Sequence, residues 1–208
     1  MEYNEKQVQI IEAAEHLFAT KGFEGASVRD IAEAAGVNIA MISYYFGSKE
    51  KLMEALFEER TSHVRLRVEA LLKDNSLEPF EKVEALVDDY VERILGSQQF
   101  HKIIVCEQVI NKNPVILKAV LQLKKKNMEV ISKLIKDGQQ KGVFRKKVDV
   151  SLMMATMFGT ITQSIIGQDY YRELNGLESL SEKEFQQLLK KKLLAHIKLL
   201  FKAILIEI

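Results

Sequence analysis

The side chains able to do covalent chemistry are few and badly spaced. The chain has one cysteine and four histidines, His16, His63, His101 and His196. Cys106 and His101 are five residues apart, about 140° around a helix, so they cannot face one another within it. No histidine stands three residues after a glutamate, the pairing a di-iron helix bundle needs, and no His-Glu-x-x-His occurs. Gly47-Ser48-Lys49 lacks the upstream glycine and the Lys-Ser/Thr order of a phosphate-binding loop, and Gly-x-Gly-x-x-Gly is missing. Hydrolase, kinase and metalloenzyme readings all lack a site, so neither metal nor cofactor is expected. Cys106 reads as a small buried apolar residue.

Residues 28–47 offer recognition chemistry instead. Ala32 is small enough for two short helices to cross steeply. Gly36 is free to take a left-handed conformation in a tight turn, and Ile31, Val37 and Ile42 can lock the pair. A helical wheel turns Ile39, Ile42 and Phe46 inward, with Leu17 and Phe18 of the preceding helix as a third wall. It turns Ala40, Met41 and Tyr44 outward, with Asn38 at the cap and Ser43 on the flank. An outward Ala, Met and Tyr suit a major groove, where small apolar side chains meet thymine methyls and hydroxyls reach phosphates.

The elements that hold these residues are helices. Only two prolines and ten glycines interrupt 208 residues, and 47% of the chain is apolar. That balance fits long helices around a core and argues against turn-rich β folds and disorder. Asn4 with Gln7, Ser27 with Asp30 and Ser181 with Glu184 each have the spacing of a capping box. Asp149, Asn113 before Pro114, and Ser48 are further starts. Gly22, Gly36, Gly47, Gly142 and Gly176 mark stops. Helices are predicted near 4–21, 27–34, 38–46, 48–73, 77–95, 98–110, 114–141, 149–168 and 181–206, an all-α fold of about nine helices.

Bulk charge gives no help. The net charge is +1, and residues 1–73 hold nine Lys and Arg against twelve Asp and Glu. Glu12, Glu15, Glu58 and Glu59 must then lie off any DNA-facing surface. The triplets Lys124–Lys126 and Lys190–Lys192 read as solvated helix faces. The single cysteine suits a reducing compartment, and the polar first ten residues lack the layout of a secretion signal, so a cytoplasmic protein is expected.

Residues 150–168 carry no charge over 19 positions. Nearly half of them are Ser, Thr, Gln or Gly, too polar for a membrane span, so no membrane partner is expected. A helix uncharged all round is buried on more than one side. With the apolar excess of 181–206, this predicts a homodimer through Met153, Gly159, Leu189, Leu193, Ile197, Leu200 and Ile204.

The run Ser27-Val28-Arg29-Asp30-Ile31-Ala32, then Ala35-Gly36-Val37, then Tyr44-Tyr45-Phe46-Gly47-Ser48-Lys49-Glu50-Lys51-Leu52 resembles the DNA-binding domain of the tetracycline-repressor (TetR) family. So does Ala13-Ala14, Leu17-Phe18 and Gly22-Phe23 upstream. The resemblance covers about residues 7–57. It implies a dimeric bacterial regulator, usually a repressor, acting in the cytoplasm at the nucleoid on a double-stranded operator. A helix-turn-helix domain over 1–50 would precede a helical effector-binding and dimerisation domain over 51–208. It places Ser27 and Arg29 at the start of the helix crossing the DNA backbone. It places Asn38, Ile39, Ala40, Met41, Ser43, Tyr44 and Tyr45 in or beside the groove, and Lys49 on a phosphate. Ser43 departs from the tyrosine common at that position, so its backbone contact is shorter or passes to Tyr44.

Past residue 60 the resemblance carries no motif. A pocket for a small, largely apolar effector is expected from the flexible and aromatic side chains of Tyr90, Phe100, Met128, Met153, Met154, Met157 and Phe158. Two other readings stay open: an architectural DNA-binding dimer without small-molecule control, and a helical enzyme.

Overall fold

The computed structural model describes residues 3–206 except residue 112, with the side chains of 62–65, 110, 111 and 115 also left outside the description. The described residues form ten α-helices: α1 (Glu5–Gly25), α2 (Val28–Ala34), α3 (Ile39–Phe46), α4 (Lys49–Lys73), α5 (Pro79–Gly96), α6 (Gln98–Cys106), α7 (Pro114–Gln140), α8 (Val150–Ile166), α9 (Gln168–Leu174) and α10 (Glu182–Leu205). A π-helical segment, Glu107–Asn111, follows α6 directly. No strand occurs among the described residues.

Local chemistry sets these boundaries. All three capping boxes form, at Asn4/Gln7, Ser27/Asp30 and Ser181/Glu184. Asp149 caps α8 by accepting from the Leu152 amide at 2.9 Å. The five glycines expected at stops all have positive φ. Two segments depart from the sequence reading. The helix expected over 98–110 changes to π geometry at Glu107, and the one expected over 149–168 breaks at Gly167. The short α9 then turns away from α8 by 76°. Among the described residues no single helix is long and apolar enough to cross a membrane.

The chain packs as two compact units. One comprises Met1–Leu66 with Ser97–Lys126, the other Arg67–Gly96 with Asn127–Ile208. This grouping differs from a division at residue 50, because α4 continues into the first core through Leu52, Met53 and Leu56, joined by Phe100, Ile103 and Ile116 from α6 and α7. The second core is built from Val83, Val87 and Val91 of α5, Leu134 and Ile135 of α7, the inner face of α8, and α10.

Part of the surface expected for a dimer lies in that second core. Met153, Leu189, Leu193 and Ile197 are at most 4% exposed and pack inside their own chain. On α10 the residues Phe185, Leu189, Leu193, Ile197, Phe201 and Leu205 recur every four positions, a single stripe wholly used by the monomer core. Gly159 stays exposed, and Leu200 and Ile204 are half-buried.

Candidate nucleic-acid interface

The first unit holds the helix-turn-helix. Helix α2 ends in a turn where the Gly36 amide donates to Glu33 O at 3.0 Å and the Val37 amide to Ala32 O at 3.0 Å. These are the two bonds of a Schellman closure, with Gly36 at the residue whose φ is +60°. Ile31, Ala32 and Ile42 are buried in the same core as Leu17 and Phe18 of α1. The turn therefore aims α3 by backbone hydrogen bonds on one side and apolar packing on the other.

Asn38 caps α3, its Oδ1 accepting from the Ala40 amide at 2.8 Å. Asn38, Ala40, Ser43 and Tyr44 are exposed, Tyr44 by 81%, and Met41 is half-buried. Ile39, expected to face inward, is 48% exposed instead. Ile42 is buried in the core, and the half-buried Phe46 packs against it. Tyr45 is half-buried against the core and its ring meets that of Tyr44 edge-on at 5.1 Å. The result is an exposed α3 face of methyl, amide and hydroxyl groups with no charge on the helix. Such a face meets base edges without repelling phosphate.

The flanking residues divide into free and engaged. Arg29 is exposed and has no partner among the described residues. Ser27 is exposed, but its hydroxyl accepts from the Asp30 amide at 3.1 Å. The Ser27 backbone N–H and hydroxyl in turn hold the Asp30 carboxyl below its ordinary range. Lys49 is engaged: its ammonium donates to Phe23 O at 2.8 Å and Ala26 O at 3.2 Å, and lies 4.4 Å from the Phe23 ring centroid. Gly22 breaks helical geometry with φ +75°, which swings Phe23 into the core beside Phe18. Lys49 thus ties down the chain that leads into Ser27, with one N–H left over.

Sequence reasoning missed that clamp and a second one. Glu15 is 6% exposed, and both the Arg60 Nε and Nη2 donate to its Oε2, at 2.8 and 2.6 Å. This pair bolts α4 to α1. The sequence signal was thin, because an acidic residue 45 positions from an arginine is invisible to helical periodicity. Tyr3 similarly joins the start of the chain to α4, donating to Glu58 at 3.2 Å. Burial and the Glu58 carboxylate push its phenol up to about 12.

The expected effector side chains are not all together. Phe100 packs in the first unit's core, edge-on to Phe57 at 4.9 Å. Tyr90, Met128, Met154, Met157 and Phe158 belong to the second unit, where Tyr90 and Phe158 meet edge-on at 5.1 Å. Beside the start of α8 lies an open depression of about 660 Å³, to which Met128 alone of this group contributes, with Lys147, Asp149 and Ser151 among its walls.

A short helix offering an uncharged reading face over a glycine-closed turn defines a helix-turn-helix DNA-binding regulator. Residues 10–56 match the model of bacterial regulatory proteins of the tetR family, and residues 79–191 match that of the tetracyclin repressor-like C-terminal domain. The transcriptional repressor NicS of Pseudomonas putida is 30% identical over 160 residues, covering 71% of each chain. The fatty acid metabolism regulator protein of Bacillus subtilis is 26% identical, covering 77% of this chain and 81% of the relative. The solved structure of FadR from Bacillus subtilis in complex with stearoyl-CoA superposes with a TM-score of 0.65 at 22% identity, over 91% of this chain and 96% of that one. At that identity the likeness speaks to the fold. The chain belongs to the tetR family. It is a DNA-binding transcriptional regulator.

Proposed function

We propose that the protein is a homodimeric repressor of the bacterial cytoplasm that reads a palindromic operator through α3 and releases it when a small, largely apolar effector binds the second unit. The observation that carries the DNA reading is the exposed, uncharged face of Asn38, Ala40, Ser43 and Tyr44 held over the Gly36 turn. Ile39, Met41 and Tyr45 border it, and Ser27, Arg29 and the remaining Lys49 N–H are the backbone contacts. Selection of bound duplexes from random DNA tests this. The expected result is an inverted repeat with half-sites about one helical turn apart, and the absence of any sequence preference defeats the reading.

The dimer is supported by apolar side chains that the monomer leaves outside. Leu152 and Ile166 of α8 are 66% and 67% exposed around Gly159, and Leu199 of α10 is 67% exposed. With Leu200 and Ile204, these replace the residues found in the core. Gly159→Lys is expected to give monomers by sedimentation, with loss of operator affinity.

Ligand control by a fatty acyl compound is supported by the relatives, one named for fatty acid metabolism and one bound to stearoyl-CoA. Helix α4 starts three residues after α3 and contributes to both units, so an effector that shifts its far end acts on the reading head. Coupling of this kind is worth about 1–3 kcal/mol, or roughly 5- to 150-fold in affinity, and is reciprocal. A chemically diverse thermal-shift screen, followed by hit affinities with and without operator, measures it. Equal affinities for every hit leave a DNA-binding dimer without a switch.

A further inference from the structure

Arg93 stands, half-buried, in the last turn of α5. Its guanidinium carbon lies 5.0 Å from the Tyr90 ring centroid, and the Tyr90 ring abuts Phe158 at 90°. Met154 and Met157, on the same helix as Phe158, are buried nearby in the second core. Among the described residues Arg93 makes neither a hydrogen bond nor an ion pair, and the Tyr90 hydroxyl has no hydrogen-bond partner. The carboxylates of its own helix have closer partners, Asp88 in Lys198 at 2.7 Å, Asp89 in Arg67 at 2.9 Å and Glu92 in Lys190 at 2.9 Å, and Asp89 alone of them also attracts the guanidinium at longer range. Burial holds the Arg93 guanidinium below its ordinary range and raises the Tyr90 phenol.

Its one close contact is the Tyr90 ring, a cation–π pair that offsets only part of the cost of taking a guanidinium out of water. Desolvating a cation without a partner is unfavourable, and groups kept so gather at functional sites. Helix polarity favours some cation in the last turn of α5, yet an exposed lysine serves that purpose without burial. Nor is the group sealed in. The one fully buried side-chain nitrogen or oxygen without a hydrogen bond among the described residues is Arg145 Nε, so the Arg93 nitrogens and the Tyr90 hydroxyl keep access to solvent.

We propose that Arg93 and Tyr90 form the anchor for the anionic head of an amphiphilic effector, a carboxylate or phosphate group whose apolar body packs toward Phe158, Met154 and Met157. The guanidinium fork takes either anion through two parallel N–H bonds, strengthened by the low-dielectric surroundings, and the phenol adds a third donor. This rests on the ligand-controlled reading above and names the chemistry of its ligand. Free fatty acids and acyl-coenzyme A thioesters both carry such an anion, on the chain terminus or on the nucleotide.

The test titrates full-length wild type, Arg93→Gln and Tyr90→Phe with dodecanoate, dodecanoyl-coenzyme A and dodecanol by calorimetry at one ionic strength. Wild type is expected to bind at least one anionic probe about tenfold or more tightly than the neutral alcohol. Whichever anion gains identifies the source of the head group. Arg93→Gln is expected to erase that preference while leaving dodecanol binding unchanged, with a melting temperature within about 2 °C of wild type. Tyr90→Phe is expected to reduce the preference about threefold. Anions that bind no better than dodecanol, failure of all three probes, or an Arg93→Gln variant that keeps the preference each overturn the assignment. A drop in melting with selectivity intact marks Arg93 as structural and does the same. Ligand control itself stands or falls separately, on whether any hit of the diverse screen releases operator.

Discussion

On α3 the side chains proposed to meet DNA stand outside the fold: Asn38, Ala40, Ser43 and Tyr44 are exposed and carry no charge. On α5 the corresponding side chains, Tyr90 and Arg93, are half-buried, and one of them is charged. The contrast fits what each surface is proposed to recognise. A duplex is large and polyanionic, so its reader needs a protruding face held stiffly from behind, and the phosphates supply most of the electrostatics. A small amphiphile must be taken out of water, so its reader must hold a charge in a place that the unliganded fold gains nothing by filling. Rigidity therefore concentrates behind α3, in the Gly36 turn, the Lys49 clamp and the Glu15–Arg60 pair.

Four experiments press on that contrast. The largest effect is expected from Ala40→Glu, which puts an anion on the exposed face of α3. Operator affinity should fall roughly a thousandfold through like-charge repulsion, with the melting temperature unchanged. Binding that survives in the folded variant would show that another surface reads the DNA.

Arg60→Ala should cost stability before it costs recognition. It leaves the Glu15 carboxylate, 6% exposed, without its partner, and about 3 kcal/mol is expected in urea unfolding. The double variant Glu15→Gln with Arg60→Ala should recover part of it. An undiminished midpoint for the single variant removes this pair from the rigid support.

Lys49→Ala separates the two roles of that ammonium. Loss of the two carbonyl bonds is expected to lower stability by about 1–2 kcal/mol. A phosphate contact by the remaining N–H adds a drop of about one unit in the salt slope of operator binding. A lower slope at unchanged stability would mean that the ammonium serves the duplex alone.

The smallest effect concerns His101, buried in α6 at 6% exposure. Burial holds its imidazole below the ordinary range, so the folded form stays neutral at a pH where the unfolded chain takes up a proton. Stability is then full above about pH 6.5 and declines as the pH falls toward the folded-state value, by at most about 1.4 kcal/mol per unit. His101→Gln should flatten that decline in thermal melts between pH 5 and 7.

Most of the architecture was legible because it is written locally. A capping box occupies four residues and a stop glycine one, and all of those named were formed as read. The outward position of Tyr44 followed from the wheel, whereas the exposure of Ile39 did not. The apolar excess of α10 was visible, but its destination was not: one four-residue stripe, Leu189, Leu193 and Ile197 included, fills the core of the single chain. Phe100 joins the first core rather than the second, a choice that composition does not reveal. Lys49, Glu15 and Arg93 were unreadable because each depends on who is paired with whom across the fold.

The first unit is discontinuous in sequence, and this bears on how regulators of this build can be recombined. Its core draws on Phe57 from α4 and on Phe100, Ile103 and Ile116 from a stretch beginning some forty residues later. A chimera spliced at residue 50, giving one parent's reading head to another parent's sensor, would inherit half of a jigsaw from each. The ring of Phe57 meeting that of Phe100 at 4.9 Å comes wholly from the sensor donor, while Ile10, Ile11 and Leu17 opposite come from the head donor. Grafts that carry residues 97–126 along with the head keep those surfaces matched. The same constraint ties any change in α6 and the first half of α7 to the surface that α1 presents.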